Sequence, residues 1–301
     1  MKMKLVIVSA LLTYALCPLP SALVRAQGAP STEVYLAPLT VSAAGLTVGA
    51  PVNVTNNPGY DNQPSFLPDS SAVLFASNRD GKQNDIYKWD IAKQAVVQLT
   101  RTAENEYSPL VAPDGKSFVC VHGTEQSLYR YDLDGSHPRL AYQHGMLLIG
   151  YHVWITNTEI AAFILGSNGS PNALQVIDTT TGNFSAITSN VGRSLLMRPG
   201  HGTVSFVTKL SPQSASIKQF DVKTHDVSII VADTLKASED LTWMPDGNTL
   251  IMGQGSKLSA WTQGLGWSQI ADFTEAGVTK ITRLSASPNG KWLAIVGEPA
   301  K

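Results

Sequence analysis

The sequence repeats one pattern six times. Most copies contain an apolar strand, a tight turn, a second apolar strand and a third strand that ends in aspartate. The turn is clearest at Pro68-Asp69, Pro113-Asp114-Gly115, Pro245-Asp246-Gly247 and Pro288-Asn289-Gly290. Proline presets φ at the second position of such a turn, and glycine accepts a positive φ at its end. The pattern therefore predicts a series of antiparallel hairpins.

The spacing of the turns indicates how the hairpins assemble. Aligned turn positions lie 43 to 46 residues apart, and they are Pro68, Pro113, Thr156, Pro199, Pro245 and Pro288. A period near 43 residues is typical of a propeller blade made of four antiparallel strands. We therefore expect an all-β fold, a six-bladed β-propeller without helices.

Four of the third strands end in an aspartate, at Asp90, Asp132, Asp178 and Asp221. An aspartate there can accept hydrogen bonds from backbone N–H groups of the following turn. The alternative is that the four carboxylates act as ligands or acids. Since they recur once per blade, they are expected to lie far apart around the rim, which favours the role in turns.

The two ends of the chain predict how the ring closes. The last repeat stops after its second strand, whereas residues 34–37 and 49–55 near the other end read as a third and a fourth strand. Together they would complete the sixth blade and leave only short, protected edges. We therefore predict one propeller domain over residues 27–301, with no second domain.

The first 26 residues read as a secretory signal peptide. Lys2 and Lys4 precede an apolar run over residues 5–16, which is too short to span a membrane, and Val24-Arg25-Ala26 offers a cleavage site. The alternatives are a buried N-terminal helix, a retained anchor, or a lipoprotein modified at Cys17. The signal peptide predicts a periplasmic or secreted protein with no membrane span.

Charge and cysteine content narrow the functional classes. Removing the leader changes the balance from 22 basic and 23 acidic residues to 19 basic and 23 acidic, so we expect no nucleic-acid partner. Cys120 is then the one remaining cysteine, flanked by Val119 and Val121 in a strand pattern. A buried structural thiol is favoured there over a nucleophile.

These repeats resemble the TolB-type propeller family, whose repeats carry a Pro-Asp-Gly turn and an Ile-Tyr-x-x-Asp strand. The best match is residues 63–90, with Ser77-Asn78-Arg79-Asp80-Gly81 before Asp85-Ile86-Tyr87, and residues 108–132 follow. The resemblance covers about 270 residues and implies a propeller-only member. In the family's namesake the propeller is periplasmic and binds an outer-membrane lipoprotein at its channel mouth. The namesake also has an N-terminal α/β domain, which this sequence does not match.

Motifs for catalysis and metal binding are sparse. The sequence has no Gly-x-Ser-x-Gly elbow and no His-Glu-x-x-His. The six histidines are scattered, and each is expected to be a surface or turn residue rather than a metal ligand. Two aspartate-rich turns, Asn78 to Asp85 and Asp132 to Gly135, could wrap a calcium ion, but turn formation explains them without one. We therefore expect no cofactor.

The residues that precede each first strand should converge on the propeller axis. The positions five before each turn proline are Gln63, Ser108, Tyr151, Ser194, Asp240 and Arg283. The positions one further back are Asn62, Tyr107, Gly150, Arg193, Glu239 and Thr282. From this double ring, with His152 and Glu106 nearby, we predict a ligand-binding site of Asn62, Tyr107, Tyr151, His152, Arg193, Glu239, Asp240 and Arg283.

This set suggests a polar pocket for a charged peptide end, a sugar or a small metabolite. The arginines would contact carboxylate or phosphate, the tyrosines would stack or donate, and the carboxylates would bind a cation or hydroxyl groups. The alternative is a water-filled channel whose charges neutralise one another. We predict a monomeric, exported, non-catalytic binding or scaffold module for a protein or small polar ligand. The alternatives are a propeller lyase, hydrolase or cyclase with an axial site, and a structural protein without a ligand.

Overall fold

The computed structural model describes residues 31–43, 45–236 and 238–300. The predicted signal peptide over residues 1–26 lies outside the described residues. The described part is all-β, with 25 strands and no helix. The strands form six antiparallel sheets, five with four strands and one with five, arranged as a six-bladed β-propeller. The predicted fold class is confirmed.

The first three blades are each an up-and-down meander. Blade 1 consists of β4 (Asp61–Phe66), β5 (Ala72–Ser77), β6 (Asp85–Asp90) and β7 (Ala95–Gln98). Blade 2 consists of β8 (Glu106–Val111), β9 (Ser117–His122), β10 (Ser127–Asp132) and β11 (Arg139–Tyr142). Blade 3 consists of β12 (Ile149–Trp154), β13 (Glu159–Ile164), β14 (Ala173–Asp178) and β15 (Phe184–Ser189).

The next two blades follow the same order. Blade 4 consists of β16 (Val191–Arg198), β17 (Thr203–Ser211), β18 (Ser214–Asp221) and β19 (Val227–Val231). Blade 5 consists of β20 (Leu241–Trp243), β21 (Thr249–Gln254), β22 (Lys257–Thr262) and β23 (Gly266–Asp272).

Blade 6 joins the two ends of the described chain. β24 (Val278–Ala286) and β25 (Trp292–Pro299) are its inner strands, and β1 (Glu33–Ser42) pairs antiparallel with β25 from Glu33 opposite Gly297 to Pro38 opposite Trp292. The fourth position is shared: β3 (Val52–Asn53) covers one part of β1, and β2 (Gly45–Val48) folds back on the other. The predicted third strand at 34–37 is correct, and the fourth is shorter than predicted.

The core lies between the blades. Among the described residues, buried apolar side chains form six clusters, one at each interface between neighbouring blades. The second strands supply most of them, because these strands are buried on both faces, as their continuous apolar runs predict. Cys120 belongs to the cluster between blades 1 and 2, is fully buried and has no disulfide partner among the described residues. Burial raises the pKa of its thiol well above the usual value, in agreement with a structural role.

The repeated turns are built as predicted. The side-chain Oδ1 atoms of Asp69, Asp114, Asp246 and Asn289 each accept a hydrogen bond of 2.8–3.0 Å from the backbone N–H two residues on. In the degenerate repeat, the hydroxyl of Thr156 accepts the corresponding bonds from Thr158 and Glu159. A threonine thus substitutes for the missing proline and aspartate, which explains why the period survives there.

Three of the four strand-end aspartates also behave as predicted. Asp90, Asp178 and Asp221 accept backbone N–H bonds of 2.8–2.9 Å from the turns that follow them. Asp132 is the exception, because its oxygens contact the side chains of His137 at 2.9 Å and Arg139 at 3.2 Å instead. The prediction of a backbone-capping role for Asp132 is therefore wrong.

Candidate functional site

A bulge near the start of most first strands turns side chains toward the axis. The pairing register of the first with the second strand shifts between Asn62 and Ser65, between Tyr107 and Leu110, and at corresponding places in β12, β16 and β24. Such bulges bend a strand and re-aim the adjacent side chains. Gln63 and Ser108 sit in these bulges with φ of +56° and +52°, which is strained for residues with a Cβ.

All six positions predicted for the inner ring line one cavity of about 110 Å³, which we call the inner chamber. They are Gln63, Ser108, Tyr151, Ser194, Asp240 and Arg283. The remaining walls are mostly leucine and proline, including Leu110, Leu196 and Leu284. Counting back from the turn proline therefore identifies the hub, although the sequence does not reveal that the chamber is largely apolar.

The predicted outer ring lines two further cavities, and one of its members, Arg193, lines the inner chamber as well. Asn62, Arg193, Glu239 and Thr282 line a polar cavity of about 670 Å³, which we call the vestibule. Tyr107 and Gly150 line a separate cavity of about 240 Å³, together with Tyr60, Gln126 and Leu165. The charged residues of the outer ring thus line the vestibule, and the uncharged Tyr107 and Gly150 line the other cavity.

An ion-pair network crosses the hub and separates the vestibule from the inner chamber. Arg193 donates to both carboxylate oxygens of Asp240, from Nε at 2.9 Å and from Nη2 at 2.5 Å. Arg283 donates to Asp240 Oδ1 at 2.9 Å from Nη1, and to the hydroxyl of Tyr151 at 2.8 Å from Nη2. Its guanidinium also lies 5.5 Å from the centre of the Tyr151 ring. We call these four residues the hub bridge, and it links blades 3, 4, 5 and 6.

The second predicted carboxylate, Glu239, is also engaged. Its Oε2 accepts the backbone N–H of Arg193 at 3.1 Å, and Lys209 Nζ donates to its Oε1 at 3.2 Å. Gly192 makes this approach possible, because a Cβ at that position would collide with the Glu239 carboxylate. Both axial carboxylates are therefore held by basic or N–H donors, and neither is left free for a substrate.

Basic residues that the sequence analysis missed also line the vestibule. Lys236 and Lys280 join Arg193 and Arg283, and Glu298 joins the two predicted carboxylates. Lys280 pairs with Glu298 at 2.9 Å, whereas Lys236 is exposed and takes part in none of the ion pairs of the described residues. Four basic and three acidic side chains leave one positive charge in excess. Lys236 precedes the first strand β20 and Lys280 lies near the start of the first strand β24, so a longer count back from each turn would have found them.

His152 lines the inner chamber as a buried histidine without a polar partner in the described part of the chain. It is only 2% exposed, and neither ring nitrogen has a hydrogen-bond partner among the described residues. Burial lowers the pKa of His152 to about 4, so the ring is neutral at ordinary pH. His144 is buried as well, but its nitrogens lie 2.7 Å from the Tyr142 hydroxyl and 3.0 Å from Gln175 Oε1. The prediction that every histidine is a surface or turn residue is wrong for these two.

Glu106, predicted to lie beside the hub, belongs instead to the interface between blades 1 and 2. Its carboxyl is fully buried and accepts hydrogen bonds from the hydroxyls of Thr100 and Tyr131. Burial raises the pKa of Glu106 to about 7. It lines neither the vestibule nor the inner chamber. A polar residue one step before the predicted ring thus points between blades rather than into the channel.

The aspartates considered for calcium already make local hydrogen bonds. Asp80 accepts the N–H of Lys82 at 3.1 Å, and Asp85 accepts that of Thr102 at 3.3 Å. Asp134 accepts the N–H of Ser136 at 2.9 Å. Within the described part of the chain, no group of three or more His, Cys, Asp or Glu side chains is placed to hold a metal ion. The expectation that the protein has no cofactor stays a prediction.

Comparison with known proteins supports the fold. No protein-family model matches the chain. The putative TolB from Agrobacterium tumefaciens is similar in structure, with a TM-score of 0.66 and 16% identity over 89% of this chain and 98% of that one. TolB from Acinetobacter baumannii gives a TM-score of 0.55 and 14% identity over 89% of this chain and 64% of that one. The resemblance predicted from the repeats is thus confirmed as a TolB-like six-bladed propeller fold.

An enzyme is also among the similar structures. An oligogalacturonate lyase in complex with manganese gives a TM-score of 0.55 and 18% identity over 88% of this chain and 78% of that one. One fold can carry unrelated functions, so the shared propeller does not separate binding from catalysis. Whether the protein binds or catalyses depends on the side chains at the hub and not on the fold.

Among the described residues there is no helix of the length and apolar character needed to cross a membrane.

Proposed function

We propose that this protein is an exported, non-catalytic binding propeller whose site is the vestibule. Its ligand carries an acidic group, either on a protein partner or on a small polar molecule. The observation that supports the proposal is the state of the charged residues: the axial carboxylates are engaged by donors, and the basic side chains that line the cavity outnumber the acidic ones by one. Export is proposed from the leader sequence, to the periplasm or the cell exterior.

Arg193 is the residue proposed to meet the ligand first. Its side chain is 33% exposed. Nε and Nη2 both donate to Asp240, and Nη2 also donates to the Thr282 carbonyl. Nη1 makes no hydrogen bond to the described residues, so it can donate to an acidic ligand without loss of the hub bridge. Lys236 supplies a second cation on the same cavity. A carboxylate held between guanidinium and ammonium groups is a strong, charge-assisted interaction.

A catalytic role is the second candidate, because a lyase shares the fold. General acid–base catalysis needs a group that can take or give a proton within hydrogen-bond reach of the substrate. Asp240 and Glu239 would have to leave their basic partners first, and His152 makes no hydrogen bond to either of them. This arrangement favours recognition over proton transfer.

The experiment is a thermal-shift comparison of matched acidic and neutral compounds. D-galacturonate is set against D-galactose, and a peptide with a free C-terminal carboxylate against its amidated form. A ligand at one hundred times its Kd stabilises the folded state by about 2.7 kcal/mol. We expect a shift with the acid of at least one pair, lost in Arg193→Ala and reduced in Lys236→Ala, with Lys93→Ala as an exposed control outside the vestibule.

Two results would contradict the proposal. Equal shifts for acid and neutral partners, or unchanged binding in both Arg193→Ala and Arg283→Ala, would remove the site from the vestibule. Release of an unsaturated sugar product from oligogalacturonate, abolished by Asp240→Asn, would make the protein a lyase instead.

A further inference from the structure

We propose that the inner chamber is a second binding site, which takes a small uncharged molecule with hydroxyl groups through His152 and Ser108. This site lies on the other side of the hub bridge from the vestibule and does not depend on the acidic ligand proposed there. A molecule of roughly three or four carbons fits the space, because a cavity of about 110 Å³ holds on the order of eight water-sized positions.

The polar groups of the chamber point to a ligand. His152 is buried with both nitrogens unpartnered, and the buried hydroxyl of Ser108 also has no partner among the described residues. Leaving such a group unsatisfied costs about 1–3 kcal/mol. A neutral imidazole offers one donor and one acceptor, and a hydroxyl offers both, so the two side chains supply the kinds of hydrogen-bonding group that a diol or triol needs.

His144 shows that the same fold can satisfy a buried histidine. That ring is held between Tyr142 and Gln175, one partner on each nitrogen. No such pair flanks His152, whose neighbours in the chamber include Leu110, Leu196 and Pro109. Both histidines lie near the interface of blades 2 and 3, so they differ in their hydrogen-bond partners and not in the blades around them.

The backbone supports the same conclusion. Ser108 sits at a positive φ of +52°, and its N–H is bound at 2.9 Å by Oε1 of Gln63, itself at +56°. Strained residues persist where the surrounding structure holds them, and they cluster at binding sites. Here the strained backbone places Ser108 in the wall of the chamber, which His152 also lines.

The charge of the proposed ligand follows from the walls. His152 stays neutral at ordinary pH, and the charges of Arg193 and Arg283, which also line the chamber, are balanced in part by the carboxylate of Asp240 beside them. The apolar side chains of Leu110, Leu196 and Leu284 offer no partner for an ion. An uncharged molecule with an apolar carbon backbone therefore fits better than a carboxylate or an ammonium ion.

The test follows the histidine rings by NMR. Protein labelled with ¹⁵N at histidine is titrated with glycerol and with erythritol, and the His152 signals are assigned by their loss in His152→Phe. We expect saturable shifts of the His152 ring nitrogens and no comparable shift at His144, which is an internal control. Ser108→Ala should weaken binding about tenfold, whereas Lys236→Ala, in the vestibule only, should leave it unchanged.

The same variants separate a binding site from a merely structural histidine. His152→Phe keeps a ring of similar size and removes the two unpartnered nitrogens, so its melting temperature should rise by about 2 °C. His144→Phe should lose stability, because it leaves Tyr142 and Gln175 unpartnered. The proposal is overturned if neither polyol gives a saturable shift at His152, or if His144 shifts by the same amount.

Discussion

Glu106 illustrates how one buried carboxyl couples the stability of the fold to pH. It is fully buried between blades 1 and 2, with the hydroxyls of Thr100 and Tyr131 as partners. Burial raises its pKa from 4.5 to about 7. Below pH 4.5 both the folded and the unfolded chain hold the proton, and above pH 7 neither does. Between these values only the folded chain keeps it, so stability falls as pH rises.

We predict that replacing Glu106 by glutamine removes this pH dependence. The wild type should lose about 3 kcal/mol of unfolding free energy between pH 4.5 and 7 through this group. The amide side chain of the E106Q variant cannot ionise, so its profile should lack that slope. Urea titrations across this pH range measure the effect, with the exposed Glu104→Gln as control. Parallel profiles for wild type and E106Q would contradict the prediction.

Asp240 is the residue on which the hub bridge depends. Its side chain is 8% exposed and forms ion pairs with both Arg193 and Arg283. We predict that Asp240→Asn lowers the unfolding free energy by about 1–3 kcal/mol, because asparagine carries no charge and places an N–H donor opposite Arg193 Nη2 where Asp240 has Oδ2. Asp90→Asn, at an ion pair with the exposed Lys93, should have a much smaller effect, because asparagine keeps an oxygen that can cap the turn. Equal effects of the two substitutions in urea denaturation would refute the role of the bridge.

The sequence anticipates residues at the hub better than it anticipates their partners. Six positions counted from the turn proline all line the inner chamber. The contacts of Arg283 with Asp240 and Tyr151 join residues 43 and 132 positions apart, so no local pattern encodes them. The burial of His152 was missed for the same reason, since it depends on the neighbouring blade rather than on its own strand.

At the scale of the element, the repeat is held in place by side chains that cap its turns. Asp246 is representative: Oδ1 accepts the N–H groups of Asn248 at 2.8 Å and Thr249 at 2.9 Å, and Oδ2 accepts the Thr249 hydroxyl. Strands and turns were predictable because their hydrogen bonds are local. The bulges were not predictable, because they depend on how each first strand meets the axis and not on a local sequence pattern.

We predict that Asp246→Ala costs about 1 kcal/mol of stability, because two backbone N–H groups lose their acceptor. Asp246→Asn keeps an oxygen in the same place and should cost only about 0.3 kcal/mol of stability. Thermal unfolding of the two variants gives the comparison. If the asparagine variant is as unstable as the alanine variant, the negative charge and not the turn hydrogen bonds stabilises this hairpin.

At the scale of the whole molecule, stability depends on closing the ring. β1 lies between β25 and β3, and Val34 pairs with Val296 in the core between blades 6 and 1. The sequence predicted this closure from the incomplete first and last repeats. It could not predict that the outer position is shared by β2 and β3, because β1 pairs with β25 only as far as Pro38 and continues from Leu39 in a hairpin with β2.

We predict that Val34→Ala destabilises the entire propeller by about 2 kcal/mol in one cooperative transition, because the ring cannot open at one blade without exposing two edges. Val52→Ala lies in the same blade at a position that is 63% exposed and should change stability by no more than about 0.5 kcal/mol. Tryptophan fluorescence and circular dichroism should give coincident urea transitions. A separate early transition in Val34→Ala would show that blade 6 unfolds alone.

The central claim is that the vestibule binds an acidic group at Arg193 while the hub bridge stays intact. The most direct measurement is a crystal structure of the protein with the acid that gives the largest thermal shift. We predict its carboxylate within hydrogen-bond distance of Arg193 Nη1, with Asp240 still between the two arginines. A carboxylate bound away from the vestibule, in crystals soaked above the concentration that saturates the thermal shift, would contradict the claim.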